Sequence, residues 1–159
     1  MYTVGQNVVH PLHGAGTIGQ IVKKTEDGCA KNYYVLSFGS GDISVTLPVD
    51  KCGDVGLRPV IGRGEAERLL SAIPLLKVSD TDGNWNRRYR ENMQSIKSGD
   101  PLKVATVIKG LMQRDNRRGL STGERRMLHY ARDILVSEMT VSLQLSEQEL
   151  ENKLTLAVG

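Results

Sequence analysis

The chain has one tryptophan, Trp85, and three arginines follow it closely: Arg87, Arg88 and Arg90. An indole can stack on a base or wedge between two, while guanidiniums hold phosphates, so these residue types suit a nucleic-acid contact. The cations continue with Lys97, Lys103, Lys109, Arg114, Arg117, Arg118, Arg125, Arg126 and Arg132. Between Asn84 and Arg132 twelve cations meet only four carboxylates, Glu91, Asp100, Asp115 and Glu124, whereas the whole chain is only +3. The remainder is therefore net acidic, and a basic block in such a chain suggests a polyanion partner. A charge-rich helical face is often just solvated surface. Against that, six of these cations come in adjacent pairs with little acid beside them.

Trp85 has two readings. It lies four residues before Tyr89, which on a straight helix would put it on the core stripe. Just after Asn84, an expected N-cap, it would instead occupy the first turn, where side chains project beyond the bundle. Residue types alone leave both open. His129 shares a helical face with Arg125 and Arg132 and reads as part of a polyanion-facing stripe rather than a catalytic base.

Other candidates for chemistry are weaker. His10 and His13 are three apart around a proline, but no cysteine or carboxylate lies near them at zinc spacing, so a turn role and no metal are expected. The glycines of HPLHGAG and GSGD match neither a phosphate loop nor a dinucleotide fingerprint. No Ser-His-acid or Cys-His arrangement stands out. The expectation is a protein that is not an enzyme and needs no cofactor. Cys29 and Cys52 read as free thiols.

These residues have to be positioned by ordinary globular elements. Hydrophobic residues make up 39% and charged ones 25%, but aromatics only 4%, so the core must be built from Val, Ile and Leu. No apolar run approaches the roughly 20 residues of a membrane span, and the start has no signal-peptide pattern. A cytoplasmic protein with no membrane partner is expected.

The first sixty residues read as short strands between tight turns: Val8–Val9, then Thr17 to Val22, then Tyr33 to Leu36. Ile43, Val45 and Leu47 follow in strict alternation, and a last strand is expected around Val55, Leu57 and Arg58. Turns fall at His10–Gly16, Glu26–Gly28 and Gly39–Asp42. Strands of this length favour a small barrel of the SH3 or Tudor kind. From Glu65 the period becomes helical. Glu65–Ile73 is stopped by Pro74, and the polar stretch 79–84 is the candidate boundary marker. Tyr89, Met93 and Ile96 form one stripe. Asp100–Pro101 opens a helix with Val104, Ala105, Ile108, Leu111 and Met112 inside and Gly119 as terminator. Ser121 with Glu124, and Ser146 with Glu149, are capping boxes, the first preceding a core of Leu128, Ala131, Leu135 and Met139. The expected fold is α+β in two domains: a Tudor-like or SH3-like β-barrel over 1–60 and an all-α helical domain over 61–159.

The stretch VGQNVVHPLHGAGTI (Val4–Ile18) resembles the opening of the CarD/CdnL family of bacterial transcription regulators. NWNRRYRENMQSIKSGD (Asn84–Asp100) is similar to that family's DNA-binding helix start. RDNRRGLSTGERRML (Arg114–Leu128) resembles its second signature, with YYVLSF and DISVTLPVD between. Transcription-repair coupling ATPases share the opening motif, but 159 residues leave no room for an ATPase.

The resemblance implies a Tudor-like domain that grips the RNA polymerase β subunit. It also implies a helical domain that meets promoter DNA in the minor groove, without base specificity, at the upstream edge of the melted region. Trp85 matches the family's wedge, and Arg87, Arg88 and Arg90 match backbone contacts. Lys97, Arg117, Arg118, Arg125, Arg126, His129 and Arg132 are the further DNA candidates. The polymerase-contacting arginines of relatives correspond to Lys24 and Thr46. Lys24 keeps a charge without a bidentate fork, and Thr46 keeps none. The expected protein is a nucleoid-associated monomer that stabilises the open complex. The alternatives are a general nucleic-acid binder (nucleoid-type or RNA-binding) independent of polymerase, and an adapter whose basic face docks acidic protein.

Overall fold

The tight turn at Asp27–Gly28 sets the register of the N-terminal sheet. Both residues take positive φ, 50° and 78°, a two-residue geometry whose twist matches paired strands. It joins β2 (Gly14–Glu26) to β3 (Cys29–Phe38), an antiparallel ribbon in which Glu26 faces Cys29. With β1 (Asn7–His10), β4 (Ile43–Pro48) and β5 (Arg58–Pro59) these strands form one sheet in the order β4-β3-β2-β1-β5. The computed structural model describes residues 1–39, 41–78 and 84–159, in two compact units, Met1–Val60 and Ile61–Gly159.

The expected Tudor-like β domain is therefore present as a five-stranded antiparallel sheet. Its edges are β4 and β5, and no pairing among the described residues closes it into a barrel. Val8, Ile18, Tyr34, Leu36, Phe38, Cys52 and Leu57 form its core. Gly16 is required by close packing: a Cβ there would lie 2.5 Å from Cδ1 of Phe38 and 2.7 Å from the Ser37 carbonyl oxygen. The expected last strand needs correction. Val55 ends a helical turn, α1 (Cys52–Val55), and Leu57 lies outside any strand. Gly56 turns left-handed at φ 85°, so its N–H and that of Leu57 donate to the carbonyls of Gly53 and Cys52, and only Arg58–Pro59 pair with β1.

Among the described residues, the regular elements of the second unit are all helices. It contains α2 (Arg63–Ala72), α3 (Trp85–Lys97), α4 (Pro101–Arg118), α5 (Thr122–Leu143) and α6 (Glu147–Val158). α2 ends in a 3-10 turn, Ile73–Leu75, that accommodates Pro74. The candidate boundary stretch lies outside the described residues from 79 to 83. Asn84 caps α3 by accepting from the Asn86 N–H, and Asp100 caps α4 ahead of Pro101. Ser121 and Glu124 close a full capping box, which satisfies two N–H groups that helix geometry orphans. The second expected box is half-formed. Ser146 accepts from the Glu149 N–H, but the Glu149 carboxylate takes the Ser146 hydroxyl instead of its backbone N–H.

The core gathers Ile96, Val104, Ala105, Ile108, Leu111, Ala131, Leu135, Met139, Leu150 and Leu154. Leu128 is only half-buried, and Met127 takes the inner position. The α3 stripe fades toward the N-terminus: Ile96 is buried, Met93 intermediate and Tyr89 exposed. Among the described residues, no helix is long and apolar enough to cross a membrane.

Candidate nucleic-acid interface

The cap at Asn84 places Trp85 at the first position of α3, and the indole is neither buried nor free. It is 43% exposed. One face stacks on Tyr89 one turn later, with centroids 5.3 Å apart and planes 19° from parallel. Its six-membered ring lies over Gly123 in the first turn of α5. Each reading of Trp85 was thus half right: the ring is seated on the bundle, and its outer part faces solvent.

That contact brings the first turns of α3 and α5 together. Arg87, Arg88 and Arg90 lie in the first two turns of α3, Arg125 and Arg126 in the first two turns of α5, while Arg117 and Arg118 close α4 just before α5 begins. All but the half-buried Arg88 are exposed. Arg87 pairs with Glu91 at 2.9 Å, and Arg125 donates to the Leu120 carbonyl at 3.2 Å. Two helix N-termini add their own positive potential here. The end of the unit that presents the indole thus also carries several of the chain's arginines, of which Arg88 lines the small gap next to the ring.

Three candidates lie away from that end. Lys97 is twelve residues along α3, about 18 Å at the helical rise. His129 is 3.3 Å from the Asp133 carboxylate, and Arg132 is 3.9 Å from Glu151 on α6. His129 and Arg132 each face a carboxylate, which weakens any pull on a phosphate.

Two further cations of the basic block are structural. Lys109 is 4% exposed, and its Nζ donates to the carbonyls of Ile73, Pro74 and Leu76 at 2.8, 3.0 and 2.8 Å. It caps the end of the 3-10 turn. Arg114 meets Glu124 at 3.1 Å with both side chains largely buried. Glu124 thereby serves the capping box and an ion pair together, fixing the first turn of α5 beneath Trp85. Spacing could not reveal that pair. The Trp85–Tyr89 stack was legible from the four-residue interval.

In the first unit, Lys24 and Thr46 are both exposed and share the outer face of the sheet. The register shows it: Lys24 faces Lys31, Val22 faces Tyr33, and Val35 faces both Gln20 and Thr46. Cross-strand partners point to the same side. The Lys24 ammonium lies 5.4 Å from the Tyr33 ring centroid, a cation–π contact. A hydrogen bond to Glu26 raises the Tyr33 pKa.

The histidine turn is a packing device. His10 Nδ1 accepts from the Leu12 N–H at 3.0 Å, and the rings of His10 and His13 are 4.8 Å apart against Phe38. Burial, then His13, lowers the His10 pKa. No group of three or more metal-capable side chains occurs among the described residues. Burial, then Asp50, pushes the Cys52 thiol up, away from a reactive thiolate. Cys29 is exposed.

Comparison with known proteins follows the same division of the chain. Residues 75–155 match the family model described as CarD, C-terminal domain, and residues 2–61 match that described as CarD-like/TRCF RID domain. The chain is 29% identical over 164 residues to a Bacillus subtilis (strain 168) protein named "Putative transcription factor YdeB". The alignment covers 96% of this chain and 99% of that one.

Proposed function

We propose a function from one premise: the chain belongs to the CarD-like family of transcription regulators. It is a non-enzymatic factor that binds the RNA polymerase β subunit through its sheet domain. Through its helical domain it binds promoter DNA at the upstream edge of the bubble, and so stabilises the open complex. The observation that carries this reading is the seated, half-exposed Trp85 at the start of a helix whose first two turns also bear Arg87, Arg88 and Arg90.

Guanidiniums at phosphates are indifferent to sequence, whereas an apolar wedge favours a step that is already distorted. The factor accordingly reads DNA shape and promoter state. A ligand shifts an equilibrium only by its differential affinity for the two states, and a wedge that fits melted DNA better than closed DNA supplies that difference. The outer face bearing Lys24 and Thr46 is the surface for polymerase. Lys24 contributes a point charge there, and Thr46 only a hydroxyl.

The test is the lifetime of open complexes formed by purified polymerase and challenged with competitor. The wild-type chain should lengthen it. Trp85→Ala should still be retained by polymerase yet lose about 1–3 kcal/mol of the effect, the range for one base stack. A lifetime unchanged by saturating wild-type protein would refute the reading and leave a general nucleic-acid binder. An effect that survives Trp85→Ala would remove the wedge.

A further inference from the structure

The indole of Trp85 is held from two sides, and one of them is a glycine. Tyr89 stacks on its face. A Cβ on Gly123 would come within 3.2 Å of Cζ2 and 3.9 Å of Cη2. Carbon atoms prefer about 3.5–4.0 Å, so any side chain at Gly123 would push the ring outward. Retreat is blocked, because Arg88, Asn92, Glu124 and Met127 line a gap of only about 10 Å³ behind it. Gly123 lies within α5, where alanine is the better helix former, so helix formation does not call for glycine there. The shelf beneath the ring is also rigid, since Glu124 is held by Ser121 and by Arg114.

We propose that Gly123 is a positioning residue for Trp85: lacking a side chain, it lets the first turn of α5, with Tyr89, set the height and tilt of the indole presented to DNA. The inference rests on the reading of Trp85 as a wedge. It adds that the wedge is pre-set in the free protein instead of being ordered on binding, which spares the cost of immobilising the side chain in the complex.

Trp85 is the sole tryptophan, so fluorescence of the free full-length chain reports the seat directly. Gly123→Ala and Gly123→Leu should red-shift the emission and increase acrylamide quenching, more for leucine. The melting temperature of Gly123→Ala should not fall, since alanine favours the helix. Open-complex lifetimes should drop below wild type in the order alanine, then leucine, with Trp85→Ala as the floor. Trp85→Phe removes Cζ2 and Cη2, so in that background Gly123→Ala should cost no further lifetime. Unchanged emission and quenching in Gly123→Leu would overturn the seat. A moved indole with a wild-type lifetime would overturn its importance for DNA. If Trp85→Ala itself leaves the lifetime intact, the wedge reading fails, and fluorescence still decides the seat.

Discussion

Replacing Lys109 by methionine separates structural charge from the charge proposed to bind DNA within the basic block. The methionine keeps the length and apolar bulk of the stem and removes the three donors that hold the carbonyls of Ile73, Pro74 and Leu76. The bond to Ile73 is buried, and the other two are partly buried and can turn to water. One buried acceptor left unpaired costs about 1–3 kcal/mol. Two wetter charge-assisted bonds add less, and relief from burying an ammonium offsets part of the loss. A net destabilisation of about 2–3 kcal/mol follows, which for a unit of roughly 100 residues is a fall of about 8–24 °C in melting temperature. Calorimetry of the full chain measures it on the transition of the helical unit. The second readout is the salt dependence of DNA binding, taken well below that transition. A phosphate-binding cation contributes about 0.9 to the slope of log K against log salt. Lys109→Met should leave the slope unchanged. Arg126→Ala, exposed on α5 three residues after Gly123, should lower it by about that amount and shift stability within about 0.5 kcal/mol. An unmoved melting transition, or a reduced slope, in Lys109→Met would refute the assignment of Lys109 as an internal cap.

Two predictions concern the sheet domain. The lowered pKa of His10 means that the unfolded chain takes up this proton more readily than the folded one. The contribution of His10 is therefore complete above the ordinary histidine value of about 6.5 and is lost as pH falls through it toward the lower folded value. Thermal melts from about pH 7.5 to about pH 5 should show this loss. His10→Asn, which keeps an acceptor for the Leu12 N–H, should flatten the decline, and an identical decline in both proteins would exclude His10 as its source. Gly16→Ala should destabilise the sheet by about 1–3 kcal/mol, because the added carbon meets both a ring and a backbone carbonyl and cannot be relieved by one flexible side chain. A melting temperature equal to wild type would contradict that close packing.

The helical caps were legible because they are local. Asn84, Asp100 and Ser121 each bond an N–H within three residues, so residue type and spacing suffice to find them. The stretch from Val55 to Arg58 misled for a related reason. Its apolar residues alternate like a strand, but Gly56 in the left-handed region closes a helical turn first, and alternation carries no information on φ. Lys109 counts only as one cation of the basic block in the sequence, and its internal role is set at long range. Its partners are 33 to 36 residues away, and charge in a sequence does not show which carbonyls surround it. Trp85 lay between these cases. Its place in the first turn and its stack on Tyr89 follow from spacing, whereas the glycine beneath it, across two helices, appears only in the fold.

On the proposed reading, the division into two units resolves a difficulty in the chemistry of the DNA end. Phosphate contacts and a wedge carry little base information, and sequence-independent binding of this kind typically has a Kd of about 10⁻⁴–10⁻⁶ M at physiological salt. Alone, such an end would be spread over all DNA. A polymerase-bound sheet domain turns the second contact into an intramolecular one, at an effective concentration of about millimolar for a short connection. That exceeds the weak Kd by about ten- to a thousandfold, so the DNA end is occupied at a promoter that polymerase already holds and mostly vacant elsewhere. Weakness at the DNA end is then useful. Extra cations would raise occupancy everywhere, whereas a seated indole raises it only where the duplex is already opening.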